Sequence, residues 1–496
     1  MPDWFAREQS LAVWELTLGC NLFCSHCGSA AGKQRANELS TSDALRVVEK
    51  LADRGIGEVV LIGGEATLRT DWQIIARAIV AAHMRLTFQT GGYHIDSQFA
   101  DKIVSTGASA VGVSIDGLEE THAKLRGRPK SFRRALKALD CLHAGGIPYL
   151  GVNTQINRAN FKEIPHLLDI LCAHHVQGWM LAPTIPMGAA LADAELCLQP
   201  YDFEAIHELV AILSTAGLER NVAVIASNAL GYFGPYERLM RSQADLLNFY
   251  SGCPAGRNVL GIEANGVVKG CPSLATDLFA TGSILGNGLQ RLDEHINDWQ
   301  SAKPTISKNI YRPTVNGFCK ECPFAITCKA GCTWAASSIN GERGDNPYCM
   351  FRSIAQNSTG NQESMHQLSA NSIGSFTLGK YTVTNQSCQE NIATKESLSA
   401  MDPDSIDWPS SLKSIAAEFS SYRQKVREEV IALILEFNDF PTYHTDLPNL
   451  YLKRLERRCL PPRAANLMAN KTQRPAATQQ TSPNPLTAKP GIPREE

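Results

Sequence analysis

The chain has 496 residues, 44% hydrophobic and 19% charged, with a net charge of −2. That length implies two or three domains, and the near-balanced charge argues against a nucleic-acid or anionic-membrane partner. No apolar run is long enough to span a bilayer and MPDWFAREQS lacks a secretory pattern, so a cytoplasmic protein is expected, whose fifteen cysteines point to metal rather than disulfides.

Taken in order, Leu11–Leu18 alternates and ends at Gly19, which predicts a strand. Cys20, Cys24 and Cys27 follow as a C-x3-C-x2-C run. Three thiolates so close can hold three corners of one cubane iron–sulfur cluster. Closed [4Fe–4S] sites use four, so one iron would stay open. A zinc knuckle or buried structural thiols are the alternatives. His26, just before the third cysteine, is expected either near a cofactor or on the surface.

Ser40–Arg54 reads as a helix with Leu45, Val48 and Leu51 as its apolar stripe. The pattern then repeats. Strands are expected at 58–62, 86–89, 110–115, 150–154 and 178–182, and helices at 95–106, 131–144 and 161–174. Six strands alternating with helices predict an α/β fold, a parallel sheet curled into a partial barrel. Ligands bind such sheets beyond the carboxyl ends of the strands. Gly63, Gly64 and Glu65 lie at the second of those ends, Ser114 and Asp116 at the fourth, and Asn153 on the fifth strand. Glycines let a main chain approach a ligand closely, and a carboxylate suits an ammonium group. A capping or turn role is the alternative for Ser114, Asp116 and Asn153.

Past residue 215 the βα rhythm stops. Asn265-Gly266 between Val259–Glu263 and Val267–Lys269 predicts a hairpin. A second cysteine set comprises Cys253, Cys271, Cys319, Cys322, Cys328, Cys332 and Cys349, with a pair of zinc ribbons as the alternative. Cys141, Cys172, Cys197, Cys388 and Cys459 stand alone and read as buried small hydrophobes or bystanders. Residues 353–409 are rich in Ser, Asn, Gln and Thr and read as a polar linker with little core. Ser410–Phe437 has helical periodicity and an apolar face in need of a partner, and the tail from 466 reads as disordered.

The C-x3-C-x2-C run resembles the signature of radical S-adenosylmethionine (SAM) enzymes, and the seven later cysteines resemble the SPASM extension of many of them. The resemblance covers about 11–352 and implies a partial (β/α)6 barrel at 1–215, a bridge at 216–252 and a SPASM iron–sulfur domain at 253–352. A linker at 353–409, a helical extension at 410–465 and a tail at 466–496 would follow. It implies SAM on the cluster of Cys20, Cys24 and Cys27, whose electron releases a 5′-deoxyadenosyl radical. Gly63, Gly64, Glu65, Ser114, Asp116 and Asn153 would touch SAM. Cys319, Cys322, Cys328 and Cys349 would hold a second [4Fe–4S] cluster, and Cys253, Cys271 and Cys332 a third. Related sulfatase-maturating enzymes have a further Cys shortly before the position of Cys253, where this chain has Leu247-Asn248-Phe249-Tyr250-Ser251-Gly252. The fourth ligand there stays open between an open iron, a non-cysteine side chain, a water and an isolated cysteine. IGGEATLR, SIDG, NTQIN, GYFGPYE and CPAGRNVLGIEANGVVKGCPS further resemble the maturase branch associated with Tyr, ten residues, then Gly-Asp-Leu, and the spliceases near it. That implies a ribosomally made precursor peptide as substrate and excision of tyramine to leave an α-keto-β-amino acid. A small leader-binding protein and a flavodoxin- or ferredoxin-type electron donor would be partners. A crosslinking maturase, a sulfatase-type maturase and a non-catalytic iron–sulfur protein are the alternatives. No residue is singled out as catalytic.

Overall fold

The computed structural model describes residues 10–241, 249–300, 315–358, 361–373, 376–387, 401–437 and 447–473. The strands are β1 (Ser10–Glu15), β2 (Ile56–Ile62), β3 (Arg85–Thr90), β4 (Ala110–Ser114), β5 (Tyr149–Ile156), β6 (Gly178–Pro183), β7 (Ala223–Ala226), β8 (Val259–Ile262), β9 (Val267–Lys269), β10 (Gly282–Ser283), β11 (Asn361–Ile373) and β12 (Phe376–Ser387). The helices are α1 (Thr41–Asp53), α2 (Trp72–Ala81), α3 (Ser97–Val104), α4 (Glu119–Arg126), α5 (Ser131–Ala144), α6 (Ile164–Ala173), α7 (Phe203–Arg220), α8 (Glu237–Arg241) and α9 (Thr276–Phe279). They continue as α10 (Gly288–Gln300), α11 (Gly317–Glu321), α12 (Ala325–Cys328), α13 (Thr333–Asn340), α14 (Met350–Ser358), α15 (Lys413–Phe437), α16 (Leu447–Cys459) and α17 (Pro462–Gln473).

Local chemistry starts these elements. The Ser40 side chain accepts the Asp43 N–H at 3.2 Å and caps α1, and Asp96 caps α3 through Phe99 N–H at 2.9 Å. Gly127, at φ 65°, closes α4 in the left-handed conformation. β1 to β7 run parallel in sequence order, and β8 pairs parallel to β1 on its other side. β9 and β10 then extend that edge antiparallel. No pairing among the described residues joins β7 to β10, so the barrel is partial.

Alternation along the strands separates two faces. Trp14, Val59, Leu61, Leu86, Phe88, Val113, Val152, Trp179 and Leu181 point to the helices and are fully or almost fully buried. The opposite face carries Glu58, Arg85, Gln89, Ser114, Asn153, Gln155 and Met180, all partly or well exposed. A polar, accessible face on a parallel sheet departs from the usual two covered faces. It marks the side open to a ligand.

Three expectations need correction. The sheet does not end at six strands, because α7 and β7 add another unit. Residues 203 and 205–217 of α7 are buried, so no amphipathic stripe betrays the helix. The expected polar linker holds the β11–β12 hairpin, and its Met365 N–H donates to Gln199 Oε1 at 2.7 Å. Backbone ladder bonds there need no apolar composition. α17 runs past residue 466 to Gln473, and the remainder of the expected tail lies outside the described residues, as does Cys388. The apolar face of α15 finds its partners within the chain, with Ile415, Phe419, Val430 and Leu433 buried. Among the described residues no helix is long and apolar enough to cross a membrane.

Candidate functional site

The loop after β1 is held from both sides. Cys20 N–H donates to Gly32 O at 3.0 Å, while Phe23 and Ser25 N–H donate to Arg126 and Leu125 carbonyls at the end of α4. Each of the three sulfurs then receives one N–H. Leu22 N–H reaches Cys20 Sγ at 3.4 Å, Ala31 N–H reaches Cys27 Sγ at 3.4 Å, and Arg126 Nη1 reaches Cys24 Sγ at 3.6 Å. Donors on sulfur favour thiolate and tune a cluster bound to it. Burial pushes the Cys20 thiol up to about 11, with Glu65, Cys24 and Cys27 adding to it. An iron centre reverses that cost by supplying opposite charge.

Gly63 and Gly64 follow β2. A Cβ at either would collide with a carbonyl of the loop after β1, Thr17 O or Gly19 O. Their close approach is thus to the chain itself, fixed by Gly64 N–H to Thr17 O at 2.9 Å and Glu65 N–H to Gly19 O at 2.8 Å. Glu65 is buried, and its carboxylate accepts from the Thr67 and Thr90 hydroxyls at 2.6 Å and Gly91 N–H at 3.1 Å. It ties the end of β2 to the end of β3.

Asp116 is fully buried. Its carboxylate accepts Gln155 N–H at 2.8 Å, lies 3.1 Å from His26 Nε2 and pairs with Arg126. Burial alone would raise its pKa, but Arg126 and His26 hold it well below the carboxylate range. His26 is accordingly a core residue and not a surface one. Ser114 and Asn153 pair in register at the ends of β4 and β5, and the Asn153 amide donates to Gln89 Oε1. Sequence reasoning missed Arg126, the largely buried cation beside Cys24. Its signal was faint, since 102 positions separate it from that cysteine.

The later cysteines fall into two groups. Cys319, Cys322, Cys328 and Cys349 line one small cavity, with room for little more than a water molecule, together with Tyr232, Phe233, Phe318, Phe324 and Phe351. Burial raises all four thiols, and the Cys349 charge raises the other three further. Cys253, Cys271 and Cys332 form the other group. Burial pushes Cys271 up to about 11 and raises Cys332, and each feels Cys253. Tyr232 stands between the groups. Its hydroxyl accepts Cys332 N–H at 2.7 Å, and its carbonyl lies 3.8 Å from Cys349 Sγ.

A parallel barrel with a three-cysteine loop at the end of its first strand defines a class of protein, and comparison with known proteins agrees. The radical SAM superfamily pattern matches residues 14–171. The mycofactocin maturase MftC of Mycolicibacterium smegmatis is 30% identical over 337 residues, spanning 68% of this chain and 80% of the relative. The AdoMet-dependent heme synthase of Methanosarcina barkeri is 29% identical over 360 residues, spanning 69% of this chain and 96% of the relative. The solved structure "Native anSMEcpe with bound AdoMet" shares the fold, with a TM-score of 0.53 and 17% identity over 70% of this chain and 95% of that one. The chain belongs to the radical SAM superfamily. SAM and a [4Fe–4S] cluster are therefore its cofactors.

Proposed function

We propose that this chain is a radical SAM/SPASM maturase of a ribosomally made precursor peptide, with backbone splicing by tyramine excision as its reaction. The observation that carries the peptide reading is the polar inner face of the strands. Gln89, Asn153 and Gln155 offer amides that can pair with a peptide backbone, and they lie at the strand ends beside the cysteine loop. The names of similar proteins support it. MftC is a maturase, and the Streptococcus suis SuiB structure, with a TM-score of 0.50, holds a precursor peptide.

When bound, SAM and the cluster supply a 5′-deoxyadenosyl radical that abstracts a hydrogen atom. The chain's own residues have other work. Cys20, Cys24 and Cys27 would hold the cluster, and the N–H groups on their sulfurs would spread the negative charge. Gly63, Gly64 and Glu65 would shape the pocket for the SAM ammonium, with Ser114 and Asn153 toward the ribose. Arg126 would steady the Cys24 thiolate, and Asp116 with His26 positions it. The two later cysteine groups would hold two further [4Fe–4S] clusters in a SPASM domain at 253–352, with the barrel at 1–215 and a bridge at 216–252 before it. A flavodoxin- or ferredoxin-type donor would reduce them, and a small partner would present the leader.

Splicing requires both new peptide ends to stay bound while they rejoin. Incubation of reconstituted enzyme, SAM and reductant with a peptide carrying Tyr-Gly should give a product shortened by tyramine and bearing a ketone. Loss of only two hydrogens would indicate a crosslink instead. The second reading, from the heme synthase relative, is action on a tetrapyrrole. Tetrapyrrole carboxylates call for cations, whereas Arg85, the basic residue of β1 to β6 on the inner face, is paired with Glu58 at 2.5 Å. Turnover of an iron porphyrin in the same assay, with no peptide product, would favour that reading.

A further inference from the structure

A cubane presents four irons, and the group at Cys253, Cys271 and Cys332 offers three thiols. We propose that the phenol oxygen of Tyr250 is the fourth ligand of the cluster that these cysteines would hold. The inference rests on the three-cluster reading above.

Tyr250 lies three residues before Cys253 and is 3% exposed. Its hydroxyl is buried without a hydrogen-bond partner among the described residues. A buried donor with nothing to meet costs free energy and asks for an explanation, of which a metal ligand role is one. The backbone around it is fixed. Tyr250 N–H donates to buried Glu237 at 2.9 Å, and its ring packs on Tyr232 at 4.5 Å between centroids. Besides burial, the charges acting on the phenol are those of Cys253, Tyr232, Cys332 and Cys328, two of them proposed ligands and the last from the other cysteine group.

The neighbouring groups are taken. Tyr232 shares the site, but its hydroxyl accepts Cys332 N–H and donates to Asn228 O at 2.9 Å. Lys269 pairs with Glu263 at 2.9 Å, and Ser273 bonds Cys271 itself. Cys319, Cys322, Cys328 and Cys349 face the separate cavity.

Phenolate is an established donor to protein iron, as in the haem of catalase. Here the Fe–O bond forms as the O–H bond breaks. The proton leaves to solvent, the oxygen's electron pair makes the new bond, and no electron changes hands. The consequence is a closed cluster. Substrate could not bind its fourth iron, and the cluster would serve electron transfer.

The test uses full-length, anaerobically reconstituted protein labelled with ring-¹³C tyrosine, read by iron analysis and electron–nuclear double resonance of the reduced clusters. The wild type and Tyr232→Phe should show ¹³C coupling to a cluster, and Tyr250→Phe should lose it. The opened iron of Tyr250→Phe should then take up ¹³C-cyanide, which the wild type refuses at that cluster. Tyr250→Cys guards against a folding artefact. It should keep its iron, show no tyrosine coupling and refuse cyanide. Iron near about twelve per chain with no coupling, or with coupling kept in Tyr250→Phe, overturns the ligand alone. Iron near about eight in the wild type, unchanged by replacing Cys253, Cys271 and Cys332 with Ala, overturns the cluster reading and the ligand with it.

Discussion

Arg126 serves two anions at once, Asp116 and Cys24, from a largely buried position. Removing it leaves the Asp116 carboxylate in the core with only His26 and an amide for company. Breaking a buried pair from one side costs about 3–5 kcal/mol. Arg126→Met should lower apoprotein stability by that order in urea unfolding. A loss below about 1 kcal/mol, the surface-pair range, would mean that Asp116 finds its balance elsewhere. His207 gives a pH-dependent case away from the cysteine loop. Complete burial, with the Arg241 charge, lowers its pKa to about 3 from the ordinary 6.5. The folded value is the lower one, so the unfolded chain takes up the proton first. Stability is therefore full above pH 6.5 and falls as pH drops toward 3. Between pH 6.5 and pH 5 that one group accounts for roughly 2 kcal/mol. His207→Leu should flatten the pH dependence of the urea midpoint by that amount, and an unchanged slope would mean that His207 is not kept neutral.

At the scale of elements, α7 depends on α15. Arg423 of α15 clamps Glu208 of α7 at 2.6 and 2.7 Å, and Phe419 is fully buried, with its ring 5.3 Å from that of Tyr236. Phe419→Ala should cost about 3–5 kcal/mol in urea unfolding. A change within about 0.5 kcal/mol would show that the α15 packing contributes little. The same helices show what sequence can and cannot say. β1 to β6 were legible because apolar residues alternate and Gly or polar turns bound them. α15 was legible from its one-sided stripe. α7 was hidden because its neighbours bury it all round, and the β11–β12 hairpin because polar residues satisfy a ladder as well as apolar ones do. The C-x3-C-x2-C run stood out because its three cysteines lie within eight residues. Arg126 and Tyr232 did not, since they reach the cysteines through folding alone.

At the scale of the molecule, one sheet joins the cysteine groups. β8 pairs directly with β1, which leads to Cys20, and on its other side with β9, which leads to Cys271. A charged network crosses the same seam. Arg35 bonds Glu15 at 2.9 Å and lies 3.8 Å from Glu263, which pairs with Lys269. Trp334, just beyond Cys332, donates to Met187 Sδ at 3.2 Å, and the following Ala189 N–H reaches Cys27 O at 2.9 Å. The proposed clusters are thus fixed relative to one another by continuous structure, as electron transfer among them requires. The most direct test is iron analysis paired with SAM cleavage in the wild type and in the chain with Cys20, Cys24 and Cys27 all replaced by Ala. The wild type should carry about twelve irons per chain and form 5′-deoxyadenosine on reduction. The triple variant should keep about eight and form none. Wild-type iron near about four would contradict the two later clusters, and 5′-deoxyadenosine from the triple variant would contradict the site itself.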